Sequence, residues 1–127
     1  MDTHILLVED SDTIRSSVIS CLRGANYRVT EAVNGREALD KLGAMEEFHD
    51  SVSLVLTDVN MPEMDGITLI RRLREGRYRF LPILVLTTET DKSIMDEGLA
   101  AGASGWLSKP FQPEQLLRAI EKLIWSG

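Results

Sequence analysis

SLVLTDVNMPEMDG, residues 53–66, decides how this chain folds. Its first half is an almost unbroken apolar run, the pattern of a strand covered on both faces. The run stops on a carboxylate, Asp58, and a turn follows at Asp65-Gly66. Past the turn, Ile67, Ile70 and Leu73 fall on one helical face. A strand buried on both sides and followed at once by a helix is the building unit of a parallel sheet.

The same unit recurs on either side. Apolar runs stand at 4–9 (HILLVE), 27–32 (YRVTEA), 82–87 (PILVLT) and 105–109 (GWLSK). With 53–58 as the third of five, the first, third and fourth runs are nearly continuous in Val, Ile and Leu and suit central strands, while the second and fifth suit edges. Between them, Ile14, Val18, Cys21, Leu22 and Ala25 predict a first helix with Ser11 or Asp12 as its N-cap. Ala38, Leu39 and Leu42 predict a second, opened by Asn34-Gly35. Ile94, Met95 and Leu99 predict a fourth from about Asp91 to Ala101. Leu116, Leu117, Ile120, Leu123 and Ile124 predict the last, with Pro113 in its first turn. Strand then helix, repeated along the chain, implies right-handed crossovers. The expected fold class is α/β, a doubly wound, flavodoxin-like (βα)5 sheet in the order 2-1-3-4-5. We expect one domain over residues 1–127, with no linker, repeat or output domain, and Trp125 in core or end packing.

Composition narrows the function classes. At 127 residues the length suits one domain and a real core. The chain is 43% hydrophobic and 27% charged, without low-complexity tracts. No apolar run reaches the ~18 residues of a membrane span, and MDTHILLVED lacks the marks of a signal peptide. A single cysteine, Cys21, forms no internal disulfide, so we expect core filler and a cytoplasmic location. The net charge of −6 argues against nucleic acid as a partner of the whole chain. The basic run RRLREGRYR (71–79) fits a solvated helix end, since cations suit helix C-termini; contact with an acidic partner is the alternative. His4 and His49 offer no metal or catalytic constellation.

Strand C-termini share one edge of a parallel sheet, and ligands bind there. This chain places Glu9 and Asp10, Asp58, Thr87 and Thr88, and Lys109 at those ends. Singly, each reads as an exposed loop residue or a helix cap. Together, three anions in one pocket raise one another's pKa and call for a cation. Lys109 supplies one charge, and an all-oxygen set without histidine or cysteine suits Mg²⁺ or Mn²⁺.

On LLVED, DVNMPEMDG, LTTE and AGASGWLSKPF, in that order and spacing, the chain resembles the receiver domains of two-component response regulators. Within them it is similar to the stand-alone, CheY-like chemotaxis regulators. The resemblance implies that Asp58 accepts a phosphoryl group from a histidine kinase of the CheA type, by carboxylate nucleophilic catalysis. It implies metal ligation by Asp10, Asp58 and the Asn60 backbone carbonyl, with Glu9 acting through water. It further implies phosphoryl contacts from Lys109 and Thr87, and Asn60 and Glu89 flanking the water that removes the phosphoryl group. Pro62 and Gly66 would shape the Asn60 loop, and Lys109-Pro110 would be cis. The output surface would be the fourth helix, fifth strand and fifth helix, with Thr87 and Trp106 as the switch: Trp106 stands in place of the more usual Tyr or Phe, the ring that swings inward as Thr87 moves. An indole is larger and carries an N–H that needs a partner when buried. The expected protein is a cytoplasmic monomer that catalyses only its own phosphorylation and dephosphorylation, and binds neither membrane nor nucleic acid. Its expected effector is the flagellar motor switch, with a phosphatase as a further partner; a phosphate sink or relay intermediate is the alternative. Two rivals fit less well. A haloacid-dehalogenase-type phosphatase wants an acid where this chain has Asn60. A flavodoxin-like cofactor binder wants a phosphate-cradling loop where this chain has the acidic EDSDT, without glycine.

Overall fold

Each apolar run becomes a strand: β1 (His4–Val8), β2 (Arg28–Ala32), β3 (Leu54–Thr57), β4 (Ile83–Thr87) and β5 (Gly105–Ser108). Each is followed by a helix: α1 (Asp12–Gly24), α2 (Gly35–Glu47), α3 (Gly66–Glu75), α4 (Lys92–Ala101) and α5 (Pro113–Trp125). The computed structural model describes residues 3–88 and 92–125. The strands pair in parallel in the order β2-β1-β3-β4-β5, as the pattern of runs implied.

Burial follows that order. Every residue of β1, β3 and β4 is buried, whereas β2 and β5, at the edges, are partly exposed. Alternation within the buried strands divides the core into two layers. Leu6, Val8, Val55, Ile83 and Val85 pack under α2, α3 and α4 against Ala38, Leu42, Ile70 and Leu73. Ile5, Leu7, Leu54, Leu56, Leu84 and Leu86 pack on the other face against Val18 and Leu22 of α1 and Leu116 and Ile120 of α5. Cutting any of these leucines to alanine would cost about 2–5 kcal/mol.

Local signals set the helix starts. The Ser11 side chain accepts from the Ile14 amide, so Ser11 is the N-cap of α1 and Asp12 stands in its first turn. Asn34 caps α2 by accepting from the Glu37 amide, and Asp65 caps α3 through Thr68. The expected start of α4 near Asp91 lies outside the described residues. Trp125 departs from expectation: it ends α5 and is 75% exposed. It sits about 100° around the helix from Ile124, off the stripe that α5 buries. The basic run is also more varied than a solvated helix end. Arg71 pairs with Glu97 and Arg77 with Glu46, but Arg74 is half-buried and donates to the carbonyls of Tyr78, Leu81 and Gly102. His4 is buried: Nδ1 donates to the Ser51 carbonyl, and Nε2 meets the Thr30 hydroxyl at 2.7 Å. Cys21 is half-buried beside the α1–α5 layer. Among the described residues no helix is long and apolar enough to cross a membrane.

Candidate functional site

Register carries the acidic residues to one place. Backbone pairing runs just past the strands, from the Glu9 amide to Ala32 and from the Asp58 amide to Val8. The Lys109 amide donates to Thr87, which ties the end of β5 to the end of β4. Three carboxylates result, Glu9, Asp10 and Asp58, each with an oxygen within 4.8 Å of the others. Lys109 closes the cluster. Its Nζ lies 2.7 Å from Glu9 Oε1 and 3.2 Å from Asp58 Oδ2, although 100 and 51 residues separate the partners.

The side chains of Glu9, Lys109 and Asp58 are 3%, 8% and 14% exposed, so their charges interact through little water. Burial is the largest influence on Glu9 and raises its pKa, outweighing the Lys109 hydrogen bond that lowers it. Burial also pulls the Lys109 ammonium down, but its bond to Glu9 and the charges of Asp58 and Glu9 together hold its pKa above the ordinary lysine value. Lysine is therefore firmly charged here, and Glu9 ionises less readily than an ordinary glutamate.

The loop after β3 fixes Asp58. Oδ1 accepts from the Val59 amide at 2.7 Å, which leaves Oδ2 facing Lys109. The Thr57 hydroxyl and the start of α3 crowd the Asp58 carbonyl. A Cβ at Gly66 would stand 2.0 Å from that oxygen, so the helix can begin there only with glycine. Lys109-Pro110 is cis, as expected.

The remaining expected residues fall into place unevenly. Thr87 is fully buried at the end of β4, and Asn60 is exposed in the loop after Asp58. Glu89 lies outside the described residues. Trp106 packs with the layer under α4. Arg15 has no sequence motif to announce it, yet it donates to the Glu9 carbonyl at 2.8 Å and to Glu31 at 3.0 Å, bracing the turn that carries Glu9 and Asp10. Gly98 was not singled out in the sequence, although a glycine inside a helix pattern is the kind of signal that could have pointed to a close approach. An apolar groove of about 520 Å³ runs beside Lys109, between Ile14, Val18 and Cys21 of α1 and Pro110, Phe111 and Pro113.

Known proteins are similar to this chain in sequence and fold. A chemotaxis protein CheY homolog of Campylobacter jejuni is 37% identical over 125 residues, covering 97% of this chain and 93% of that protein. The crystal structure of the Vibrio cholerae chemotaxis protein CheY4 has a TM-score of 0.87 at 41% identity, over 97% of this chain and 99% of that one. The receiver domain of the Pseudomonas aeruginosa sensor histidine kinase PA1611, with a magnesium ion in its active-site cleft, has a TM-score of 0.84 at 29% identity, over 98% of each chain. Residues 5–121 match the response regulator receiver domain, and the chain belongs to that family.

Proposed function

We propose that the chain takes a phosphoryl group onto Asp58 from a kinase phosphohistidine and passes the signal to a protein effector. One observation carries this: a carboxylate held at the end of a central strand, 3.2 Å from a charged lysine and within 4.8 Å of two further carboxylates. In the transfer, an Asp58 oxygen attacks phosphorus, the P–N bond to the histidine breaks, and the imidazole leaves with the bonding pair. Positioning and charge neutralisation do most of the work in such a step. Lys109 trades its contact with Asp58 or Glu9 for a phosphoryl oxygen, and the Thr87 hydroxyl bonds another. Water later attacks phosphorus and restores the carboxylate, along a path flanked by Asn60 and Glu89. The chain thus acts on itself and turns over no separate substrate.

The oxygen-only donor set fits a hard divalent cation, Mg²⁺ or Mn²⁺. Asp10, Asp58 and the Asn60 carbonyl would hold it, with Glu9 bound through water. When present, the ion neutralises charge that builds on the transferring group. The apolar groove beside Lys109 offers the kinase a surface within reach of Asp58.

The similarity to chemotaxis proteins favours a kinase of the CheA type and the flagellar motor switch, met through the α4–β5–α5 face. The likeness to a receiver joined to a sensor kinase supports the second reading, a sink or relay intermediate. Phosphotransfer separates the two. A labelled kinase should pass its phosphoryl group to this chain, and the phosphorylated chain should bind a motor-switch protein more tightly than the unphosphorylated one. A phosphoryl group handed on to a second histidine protein, with no gain in motor binding, would replace the chemotaxis reading by the relay.

A further inference from the structure

Gly98 is the only buried residue of α4 among those described, which is unusual for a helix laid on a sheet. Glycine inside a helix weakens it relative to alanine, so its presence asks for a steric reason. That reason is Trp106. A Cβ on Gly98 would lie 3.0 Å from Cζ3 of the indole, with Cε3 and Cη2 at 3.7 and 4.0 Å. The ring is rigid and packed into the layer beneath α4, so it cannot bend aside as a flexible chain end would. The seat has a cost as well, because the indole Nε1 is buried and has no hydrogen-bond partner among the described residues. Register links the seat to the site: Trp106 pairs with Val85 and Ser108 with Thr87, so the Trp106 and Thr87 side chains share one face of the sheet.

We propose that Gly98 is a positioning residue for the output face: its missing side chain makes the seat that holds the Trp106 indole under α4. Packing fills this seat, and the N–H, unpaired among the described residues, opposes it. Two opposed terms leave the ring near balance, and a small pull at Thr87 can then move it. The link to Thr87 rests on the receiver reading; the seat itself does not.

The test uses a Trp125→Phe background, in which Trp106 is the only indole. Adding Gly98→Ala should red-shift Trp106 emission and increase its quenching by acrylamide. In melting experiments Gly98→Ala should destabilise the chain carrying Trp106. With Trp106→Phe it should instead raise the folding equilibrium constant about two- to fivefold, the ordinary gain of alanine over glycine in a helix. Unchanged emission, or the same stability effect with either ring, would overturn the seat. A Gly98→Ala chain that fails to fold with Trp106 yet folds with Trp106→Phe shows the same coupling, and failure with both rings contradicts it. Acetyl phosphate with Mg²⁺ should change Trp106 quenching when Gly98 is present and leave it unchanged in Gly98→Ala, while Asp58 is labelled equally in both. Absence of labelling in both chains would remove the receiver reading, and the emission and melting results would still decide the seat.

Discussion

Lys109 holds two carboxylates at once, and the consequences differ for each. Asp58 keeps one oxygen on a backbone amide and turns the other toward the ammonium. Glu9 gives one oxygen to Lys109 and the other to the Ser11 amide, and sits deeper. Burial raises its pKa above the ordinary 4.5, so the folded chain keeps a proton that the unfolded chain has released. That contribution to stability is complete below pH 4.5 and is lost as pH rises through the raised value. In chelator, the melting temperature of the native chain should therefore fall more with rising pH above 4.5 than that of Glu9→Gln. A steeper fall in the variant would contradict the assignment. Asp58 was legible at this scale, as a carboxylate ending an apolar run. Arg15 was not, because nothing in the spacing of DTIRSS says that its guanidinium will reach back to the Glu9 carbonyl.

Among the elements, the central strands were read from unbroken apolar runs and the edges from weaker ones, and burial follows that division. Asn34-Gly35 announced the start of α2 because capping is local chemistry. Trp125 was misjudged, since periodicity finds a stripe but one residue more turns a side chain away from it. Contacts between distant elements leave no local sign at all. The clearest is the tie from Glu46 at the end of α2 to the Tyr78 hydroxyl beyond α3. Burial first, and then the bond to Glu46, push the Tyr78 phenol up to about 12. Absorbance titration should find a tyrosine step near 12 that vanishes in Tyr78→Phe and moves down in Glu46→Gln. A step that ignores Glu46 would mean the tie does not form. Because the folded state keeps this proton longer, stability should decline as pH rises from 10 toward 12.

Across the whole molecule, a parallel sheet gathers residues that the chain keeps far apart, and among the described residues it clusters Glu9, Asp10 and Asp58, two of them bonded to the Lys109 ammonium. Strand order made that gathering legible in advance, while the side chains' final contacts depended on packing that no motif encodes. The uncompensated charge predicts a response to metal. A cation that binds only the folded arrangement should stabilise it by about 2.7 kcal/mol at a hundredfold excess over its Kd. Melting curves should shift upward with Mg²⁺, shift far less in Asp10→Ala, and still shift in Lys109→Ala, where phosphorylation no longer reaches the output face. No shift at saturating metal would refute the pocket. The central claim is the identity of the phosphoacceptor, and intact-mass measurement after treatment with acetyl phosphate tests it most directly. The account predicts one added phosphoryl group, dependent on Mg²⁺, mapping to Asp58 and absent from Asp58→Asn; full labelling of Asp58→Asn, or a phosphoryl group on another residue, would contradict it.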